Sequence, residues 1–277
     1  MAATPLIRTL YRALLRPAAE LSSLGQPLRV RLPVLSSASQ WLKGSHQYEK
    51  NPPEPQQIVR LLFPFLANED GGLWRGEELW GANVTEVSSA TLRDVVRRRF
   101  RDEQGDIDTR VNDAFAAMRA LAEQLVLARS MVVTRSGIEG AQVCVEASSF
   151  FCGKTEREPN SWLWLFQYRI RIRNEGRLPV QVLSREWLIR TGDGITQAHV
   201  PRGSPGVVGQ QPVLQPGESF EYASGTPLSS PSGSIEGSLQ MAVVASMAEL
   251  DAAGHDGAFD VPVGCLPLHA RDGASGH

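Results

Sequence analysis

Residues 162–174 read WLWLFQYRIRIRN, and this stretch decides the fold of the C-terminal half. Aromatic and aliphatic residues occupy every second position from Trp162 to Ile172, and polar residues fill the alternate positions from Gln167 to Arg173. Successive side chains of a strand point to opposite faces. The period of two therefore predicts a β-strand with one face in an apolar core and a row of arginines on the other face.

Similar strand patterns surround this stretch, and turn residues separate them at Asn174-Glu175-Gly176 and Pro216-Gly217-Glu218. Further strands are predicted at 143–149, 180–190, 195–200, 219–224 and 238–247. No helix-length segment separates these strands. We therefore predict an antiparallel β-sandwich over residues 129–270, followed by a tail at 271–277.

The N-terminal half, residues 1–128, has the pattern of a separate helical domain. Apolar residues at helical spacing predict a three-helix bundle, with helices at 5–22, 88–101 and 107–128. Residues 25–85 contain many prolines and serines, which predicts an irregular insertion.

The first predicted helix carries two parallel stripes. Its apolar residues share one face, and Arg8, Arg12 and Arg16 repeat every four residues beside them. Pro17 is expected to kink or end this helix near Arg16, because proline removes a helical hydrogen bond and its ring clashes with the preceding turn. The third predicted helix places Phe115 and Met118 on its apolar face.

Charge and cysteine content restrict the class of protein. Residues 1–135 hold 18 Lys and Arg against 15 Asp and Glu, whereas residues 136–277 hold 10 against 15. A basic, acid-free start with interspersed leucines is typical of an organellar transit helix or of a basic helix that belongs to the folded domain. The three cysteines form no CxxC pair, and their odd number argues against a disulfide framework and favours a reducing compartment. No apolar run approaches the roughly 20 residues of a membrane-spanning helix.

The C-terminal half resembles the ApaG family over about 130 residues, counted from the matching motifs. The resemblance is carried by Tyr168 to Gly176, Val180 to Arg185, Gly206 to Pro212 and Phe259 to Pro262. It implies a fibronectin-III or Ig-like antiparallel β-sandwich. The family's glycine loop corresponds here to Gly203, Gly206 and Gly209. A glycine loop binds pyrophosphate when it opens a helix, and no helix pattern follows this one, so we expect a structural turn.

The N-terminal half resembles the LYR-motif family. Leu10-Tyr11-Arg12 lies on the first predicted helix, and Arg97 to Arg101, with Phe100 among them, matches the family's downstream Arg-and-Phe element. The resemblance implies binding of the mitochondrial acyl carrier protein, which would supply an acyl-phosphopantetheine arm. The expected carrier-binding residues are Arg8, Leu10, Tyr11, Arg12, Arg16, Arg97, Arg98, Arg99, Phe100 and Arg101. Leu14, Phe115 and Met118 are expected to line a tunnel for the acyl chain.

The sequence contains no recognisable catalytic or metal-ligating constellation. The five histidines lie in loops, strand ends or tails without ligand spacing to Cys or carboxylates, and no GxSxG, HExxH or P-loop is present. We therefore expect a non-enzymatic adaptor, without an intrinsic cofactor, in the mitochondrial matrix or alternatively in a plastid. It would bind acylated carrier protein and, through the sandwich, a second protein or large assembly such as a ribosome, a respiratory complex or an assembly factor.

Two alternatives to the adaptor remain open at this point. The first is a nucleotide- or metal-binding ApaG-type module with a structural helical half. The second is an RNA-contacting scaffold that uses the arginines on alternate positions of residues 169–173 and the Arg97–Arg101 cluster, although the net charge of −5 over residues 136–277 disfavours contact with phosphates.

Overall fold

The structure is a computed structural model of the 277-residue chain. It describes residues 5–25, 28–29, 45–49, 86–87, 93, 96–97, 107–244 and 257–270. The chain divides into two compact units. The first, the helical unit, comprises Met1–Arg31 and Asn51–Arg129; the second, the sandwich unit, comprises Leu32–Lys50 and Ser130–His277.

Two long helices dominate the described part of the helical unit: α1, Pro5–Leu24, and α2, Ile107–Ser130. Proline suits the first turn of α1 because the amides there have no helical acceptor. The two helices bury one stripe each in a shared apolar cluster, which also contains Val96 from a helical stretch between them. The buried members are Leu10, Leu14, Ala18, Leu21, Val96, Ala114, Ala117, Leu121 and Leu125.

The last turns of α1 and α2 are joined by an ion pair. The Arg129 Nε of α2 donates a 2.7 Å hydrogen bond to the Glu20 carboxylate of α1. Both residues lie near the C-terminal ends of their helices, so these two ends are neighbours.

The sequence predicts that Pro17 kinks or ends the first helix near Arg16. The helix does not end there, so this part of the prediction is wrong. The helix continues through Pro17 to Leu24. Two residues of its last turns, Ala18 and Leu21, are fully buried in the apolar cluster. Burial of that face stabilises the helix beyond the proline, because tertiary packing contributes more to a protein helix than local propensity does.

The sandwich unit contains two antiparallel sheets. Its strands are β2 (Ser45–Glu49), β4 (Val132–Ile138), β5 (Ala141–Glu158), β6 (Ser161–Asn174), β7 (Val180–Thr191), β8 (Thr196–Pro205), β9 (Val213–Leu214), β10 (Ser219–Leu228), β11 (Ser232–Val243), β12 (Ala258–Pro262) and β13 (Leu266–His269). The first sheet has the order β2-β10-β6-β5-β4. The second has the order β12-β11-β7-β8, with β13 added to β11 and β9 added to β7. In the helical unit, β1 (Leu28–Arg29) pairs with β3 (Glu86–Val87).

The apolar core lies between the two sheets. From β6 it takes Phe166, Tyr168, Ile170 and Ile172, which are the alternate positions that the sequence predicts. Trp187 of β7 packs edge-on against Tyr168, with 6.5 Å between ring centroids. The predicted antiparallel β-sandwich is confirmed.

The sequence prediction missed several strands of this unit. β2 lies within residues 25–85, which were expected to be irregular, yet it pairs with β10 along its full length. Strand β4, which pairs with β5, and strands β12 and β13, which pair with β11, were also missed. These strands are short or lie at sheet edges. There the pairing rests mainly on backbone hydrogen bonds, which leave little signal in the side-chain pattern.

Candidate protein-binding site

The arginine stripe of α1, defined as Arg8, Arg12 and Arg16, is exposed to solvent. The three residues follow one another at one-turn spacing along the helix, because four residues advance almost a full turn. None of them forms an ion pair with a described residue. The only acidic residue of α1, Glu20, is held at the far end by Arg129. The first three turns therefore present positive charge alone.

Leu10 and Leu14 lie on the side of α1 opposite the arginine stripe, and Tyr11 lies at the boundary between the exposed and the buried side. Leu10 and Leu14 are buried in the apolar cluster, and Tyr11 is half-buried and packs against it. Leu14, an expected tunnel residue, has no solvent exposure in this structure. Tyr11 thus stands between the arginine stripe and the apolar interior, where an amphipathic side chain is stable.

The second basic group is described only at its start. Arg97 is helical and half-buried and has interaction partners, while its neighbour Val96 joins the same apolar cluster as Leu10. Arg98, Arg99, Phe100 and Arg101 lie outside the described residues. The expectation that this group and the arginine stripe bind one carrier protein together remains a prediction.

The two expected tunnel residues of α2 occupy different environments. Met118 is half-buried and packs against the apolar cluster. Phe115 is 54% exposed and lies on the outer side of the helix, away from the buried face to which the sequence analysis assigned it. The residues of α2 that are buried in the apolar cluster are Ala114, Ala117, Leu121 and Leu125. The prediction that Phe115 lies on the buried face of this helix is therefore wrong.

The glycine loop of the sandwich unit is a closed turn. The backbone amides of Val207 and Gln210 each donate to the carbonyl of the other, both at 2.8 Å, and the Gly206 amide donates to the Leu183 carbonyl at 2.9 Å. Val208 and Gly209, the two central residues, both have positive φ, as a tight hairpin turn requires. No helix follows the turn. Three of its amides are thus committed to protein acceptors and do not point at a ligand.

The conformation of this loop is fixed from within the protein. Arg185 of β7 donates through Nη1 to the carbonyls of Pro205 and Gly206. A Cβ atom on Gly206 would lie 2.2 Å from the Gln210 carbonyl oxygen, whereas one on Gly203 or Gly209 would meet nothing within 4 Å. Glycine at 206 is therefore required by close backbone approach. These contacts explain the loop as structure without any ligand.

Sequence reasoning missed the burial of the charged face of the first sheet, defined here as Glu146, Gln167, Arg169, Arg171 and Glu221. All five are buried, with Arg169 and Arg171 at 1% and 2% exposure. The alternation of residues 169–173 in the sequence predicts a surface row of arginines that could contact RNA. That prediction is wrong for Arg169 and Arg171, because their burial removes them from the accessible surface.

Strand pairing explains how these charges coexist. Arg171 on β6 stands directly opposite Glu146 on β5 and Glu221 on β10. Its Nη2 also donates to the Ser219 Oγ at 3.1 Å, and Arg169 Nη1 lies 4.0 Å from the Glu221 carboxylate. Opposite charges side by side offset part of the free energy that each group loses when its hydration is removed on burial. The sequence does contain a signal for this burial, which is one acidic residue in each of the two neighbouring strands. The signal can be recognised only when the pairing register of the strands is known.

At the rim of this face, Glu175 accepts hydrogen bonds from two arginines. Arg135 Nε is 3.0 Å from the carboxylate, and Arg173 also donates to it. Partial burial acts to raise the pKa of Glu175, but the hydrogen bonds and charges of Arg173 and Arg135 outweigh it and hold the pKa below its usual value. Glu175 is therefore ionised at neutral pH. The side chains of this cluster are more exposed to solvent than the buried charges beside it.

Two tyrosines of the core differ in how their hydroxyls are satisfied. The Tyr168 hydroxyl shares a hydrogen bond with the Ser224 side chain. The Tyr222 Oη is buried and has no hydrogen-bond partner among the described residues. Burial, together with the nearby Tyr168, raises the pKa of Tyr222 well above its usual value, although Arg185 acts in the opposite direction. Both phenols are therefore neutral structural groups at physiological pH.

The described residues contain no group of three His, Cys, Asp or Glu side chains placed to hold a metal ion. Among the helices described, none is long and apolar enough to cross a membrane.

The fold and these surfaces define a class of protein: a two-sheet antiparallel sandwich accompanied by a basic helical unit. Comparison with known proteins identifies the sandwich. The ApaG domain family model matches residues 154–243. The chain belongs to the ApaG family through this C-terminal region.

Individual relatives agree with this assignment. The chain is 38% identical to Protein ApaG of Enterobacter sp. over 104 residues, which cover 38% of this chain and 80% of the relative. It is 35% identical to Protein ApaG of Escherichia coli over 126 residues, or 46% of this chain and 91% of the relative. The match to Protein ApaG of Nitrosomonas europaea is 49% identical over 86 residues; it covers 31% of this chain and 65% of that relative, slightly less than two thirds.

Among solved structures, the chain is similar to the putative ApaA protein from Bordetella pertussis. The similarity has 32% sequence identity and a TM-score of 0.40, and it covers 49% of this chain and 99% of that structure.

Proposed function

We propose that this protein is a non-enzymatic adaptor that binds an acylated acyl carrier protein through its helical unit and a second protein or large assembly through its ApaG sandwich. The observation that carries the proposal is the exposed arginine stripe of α1, which lies on the side of the helix opposite its buried apolar residues. No acidic residue accompanies the stripe on the first three turns of α1.

The chemistry of a carrier protein suits this arrangement. Such a protein presents an acidic helix, and guanidinium groups form strong, directional hydrogen bonds with carboxylates. Its acyl chain is apolar and would be stabilised in the interior between helices, next to Leu14 and Met118. The similarity to the LYR-motif family suggests the mitochondrial carrier protein as the partner and the mitochondrial matrix as the compartment, with a plastid as the alternative.

The sandwich is the better candidate for a protein partner than for a nucleotide or RNA. The amides of Gly206, Val207 and Gln210 are used within the glycine loop, so they do not favour a pyrophosphate. The buried Arg169 and Arg171 cannot follow a phosphate backbone. The exposed turns and edges that remain are typical protein-contact surfaces, and ribosomes, respiratory complexes and assembly factors are candidate partners.

Charge reversal of the arginine stripe tests the carrier-protein half of the proposal. We expect Arg12→Glu to weaken binding of purified acylated carrier protein to the full-length chain at least tenfold, or about 1.4 kcal/mol, because a like-charge contact replaces an ion pair. Calorimetric titration at fixed ionic strength measures the change.

The matched control is Arg157→Glu, which makes the same charge change at an exposed position of the sandwich unit. Its affinity for the carrier protein should stay within about twofold of the unaltered chain, since surface charges far from a contact are screened. Equal affinities for the Arg12 and Arg157 variants would contradict the proposal.

A further inference from the structure

The outer side of α2 carries a second stripe that the carrier-protein proposal does not use. The stripe, here called the α2 outer stripe, consists of Asp108, Asn112, Phe115 and Arg119, and all four are exposed. Their spacings of four, three and four residues place them along one line of the helix. A step of four plus a step of three makes seven residues, which is close to two full helical turns. Phe115, at 54% exposure, is one of the most exposed large apolar side chains described in the helical unit.

The charges of this stripe are arranged with opposite signs at its two ends. Asp108 lies at the N-terminal end and Arg119 at the C-terminal end, about 16 Å apart along the helix axis at 1.5 Å per residue. Neither residue forms an ion pair with a described residue. A surface with an acid at one end and a base at the other complements a copy of itself turned by 180°.

We propose that the α2 outer stripe is a self-association surface, on which α2 of a second copy of this chain packs in the antiparallel direction. About a two-fold axis between Asn112 and Phe115, Asp108 of each copy faces Arg119 of the other. Phe115 then packs over Asn112 of the partner copy at the centre. A two-fold interface of this kind uses the same residues from both copies, and two ion pairs close its ends.

The expected dimer is weak and reversible. One helix stripe buries less than the roughly 800 Å² per partner of a standard interface, so we expect a dissociation constant in the micromolar range. The exposed Phe115 would be its central anchor, because aromatic side chains at the centre of an interface contribute most of the affinity. The arginine stripe on α1 stays free for a carrier protein, so the two functions are separable.

Analytical ultracentrifugation of the full-length chain, from about 1 to 200 μM, tests the proposal. The unaltered chain should shift with concentration from 30.3 kDa toward twice that mass. Phe115→Asp should abolish the shift. Arg119→Asp should weaken association at least tenfold, because two carboxylates then face each other at each end of the interface.

The decisive variant is the double exchange Asp108→Arg with Arg119→Asp. It restores opposite charges across the two-fold axis, so association should return to within about threefold of the unaltered chain. Ile195→Asp removes an equally exposed apolar side chain from the sandwich unit and serves as the control that should leave association unchanged. All variants change exposed residues, and circular dichroism melting verifies that each is folded.

Three outcomes would overturn the proposal. One is a chain that stays monomeric up to 200 μM. Another is association that persists in Phe115→Asp. The last is a double exchange that fails to recover what Arg119→Asp loses. If the unaltered chain is monomeric and Phe115→Asp instead weakens binding of carrier protein, the stripe belongs to that partner and the self-association proposal is rejected.

Discussion

The two faces of strand β6 are equally buried and chemically opposite. Toward the second sheet, Ile170 and Ile172 lie in an apolar core. Toward the other side, Arg169 and Arg171 are buried with carboxylates on the neighbouring strands. The same alternation in sequence usually marks one buried and one solvated face. The difference teaches that alternation of residue types along a strand shows the chemical character of each face of the sheet. It does not show whether a polar face is exposed to solvent.

The energetics of the two faces also differ. Apolar burial is favourable in itself and tolerates replacement by another apolar side chain of similar volume. Buried charges are stable only as a set, because each loses its hydration and needs its partner. A single truncation therefore tests each face in a different way.

The largest effect is expected from truncation on the charged face. Arg171→Ala removes a buried positive charge directly across from Glu146 and Glu221 in the strand register, so we expect a loss of about 3–5 kcal/mol in the free energy of unfolding. Denaturant unfolding measures the change. Ile170→Ala, on the opposite face of the same strand, should cost a comparable 2–5 kcal/mol or so through the cavity that it creates.

A neighbouring arginine provides the control for this experiment. Arg173, two residues farther along β6, is half-buried and bonds to Glu175 at the rim. Its truncation to Ala should cost less than about 1 kcal/mol, as is usual for exposed ion pairs. If Arg171→Ala were as mild as Arg173→Ala, the charged face would be solvated and the comparison between the two faces would be wrong.

Smaller changes in stability, of opposite sign, are expected when Tyr222 or Tyr168 of the apolar core is replaced by phenylalanine. Tyr222→Phe removes a buried hydroxyl that has no partner among the described residues, so it should stabilise the protein by about 1 kcal/mol. Tyr168→Phe breaks a hydrogen bond with Ser224 and should destabilise it by a similar amount. Thermal melting of the two variants side by side measures the difference, and a Tyr222→Phe protein that melts lower would show that its hydroxyl is satisfied.

The smallest effect concerns the rim, where the charged face meets water. The pKa of Glu175 lies below its usual value of 4.5, so its ionised form stabilises the fold above that pH, and this contribution disappears as the pH falls through the lowered pKa. Glu175→Gln should reduce the loss in the free energy of unfolding between pH 7 and pH 3, by less than about 1 kcal/mol. Denaturant unfolding at pH 7 and pH 3 measures it. An unchanged profile would mean that the two arginines do not hold the carboxylate.

Much of the sandwich could be predicted from sequence alone. Strand β6 was expected at 162–174 and runs from Ser161 to Asn174. The apolar residues of its core face were identified because they alternate without interruption and their burial requires no information about other strands. The same local signal located α1 and α2, whose apolar residues recur at helical spacing.

The failures share a physical cause, which is that they depend on residues distant in sequence. The burial of Arg171 depends on acids in β5 and β10, and the pairing of β2 with β10 depends on backbone groups that lie about 170 residues or more apart in the sequence. Pro17 remains helical because Ala18 and Leu21 are packed against α2. For the candidate site, the sequence located the arginine stripe correctly on an exposed face, but it assigned Phe115 to the interior.

The central claim is that the arginine stripe of α1 recruits an acylated carrier protein, and native mass spectrometry of the full-length chain purified from its own cells tests it most directly. We expect a complex of this chain with one small acidic protein that carries phosphopantetheine and a fatty acyl group, and we expect Arg12→Glu to lose that protein. A chain that purifies without any phosphopantetheine-bearing partner, or an Arg12→Glu variant that retains it in full, would contradict the claim.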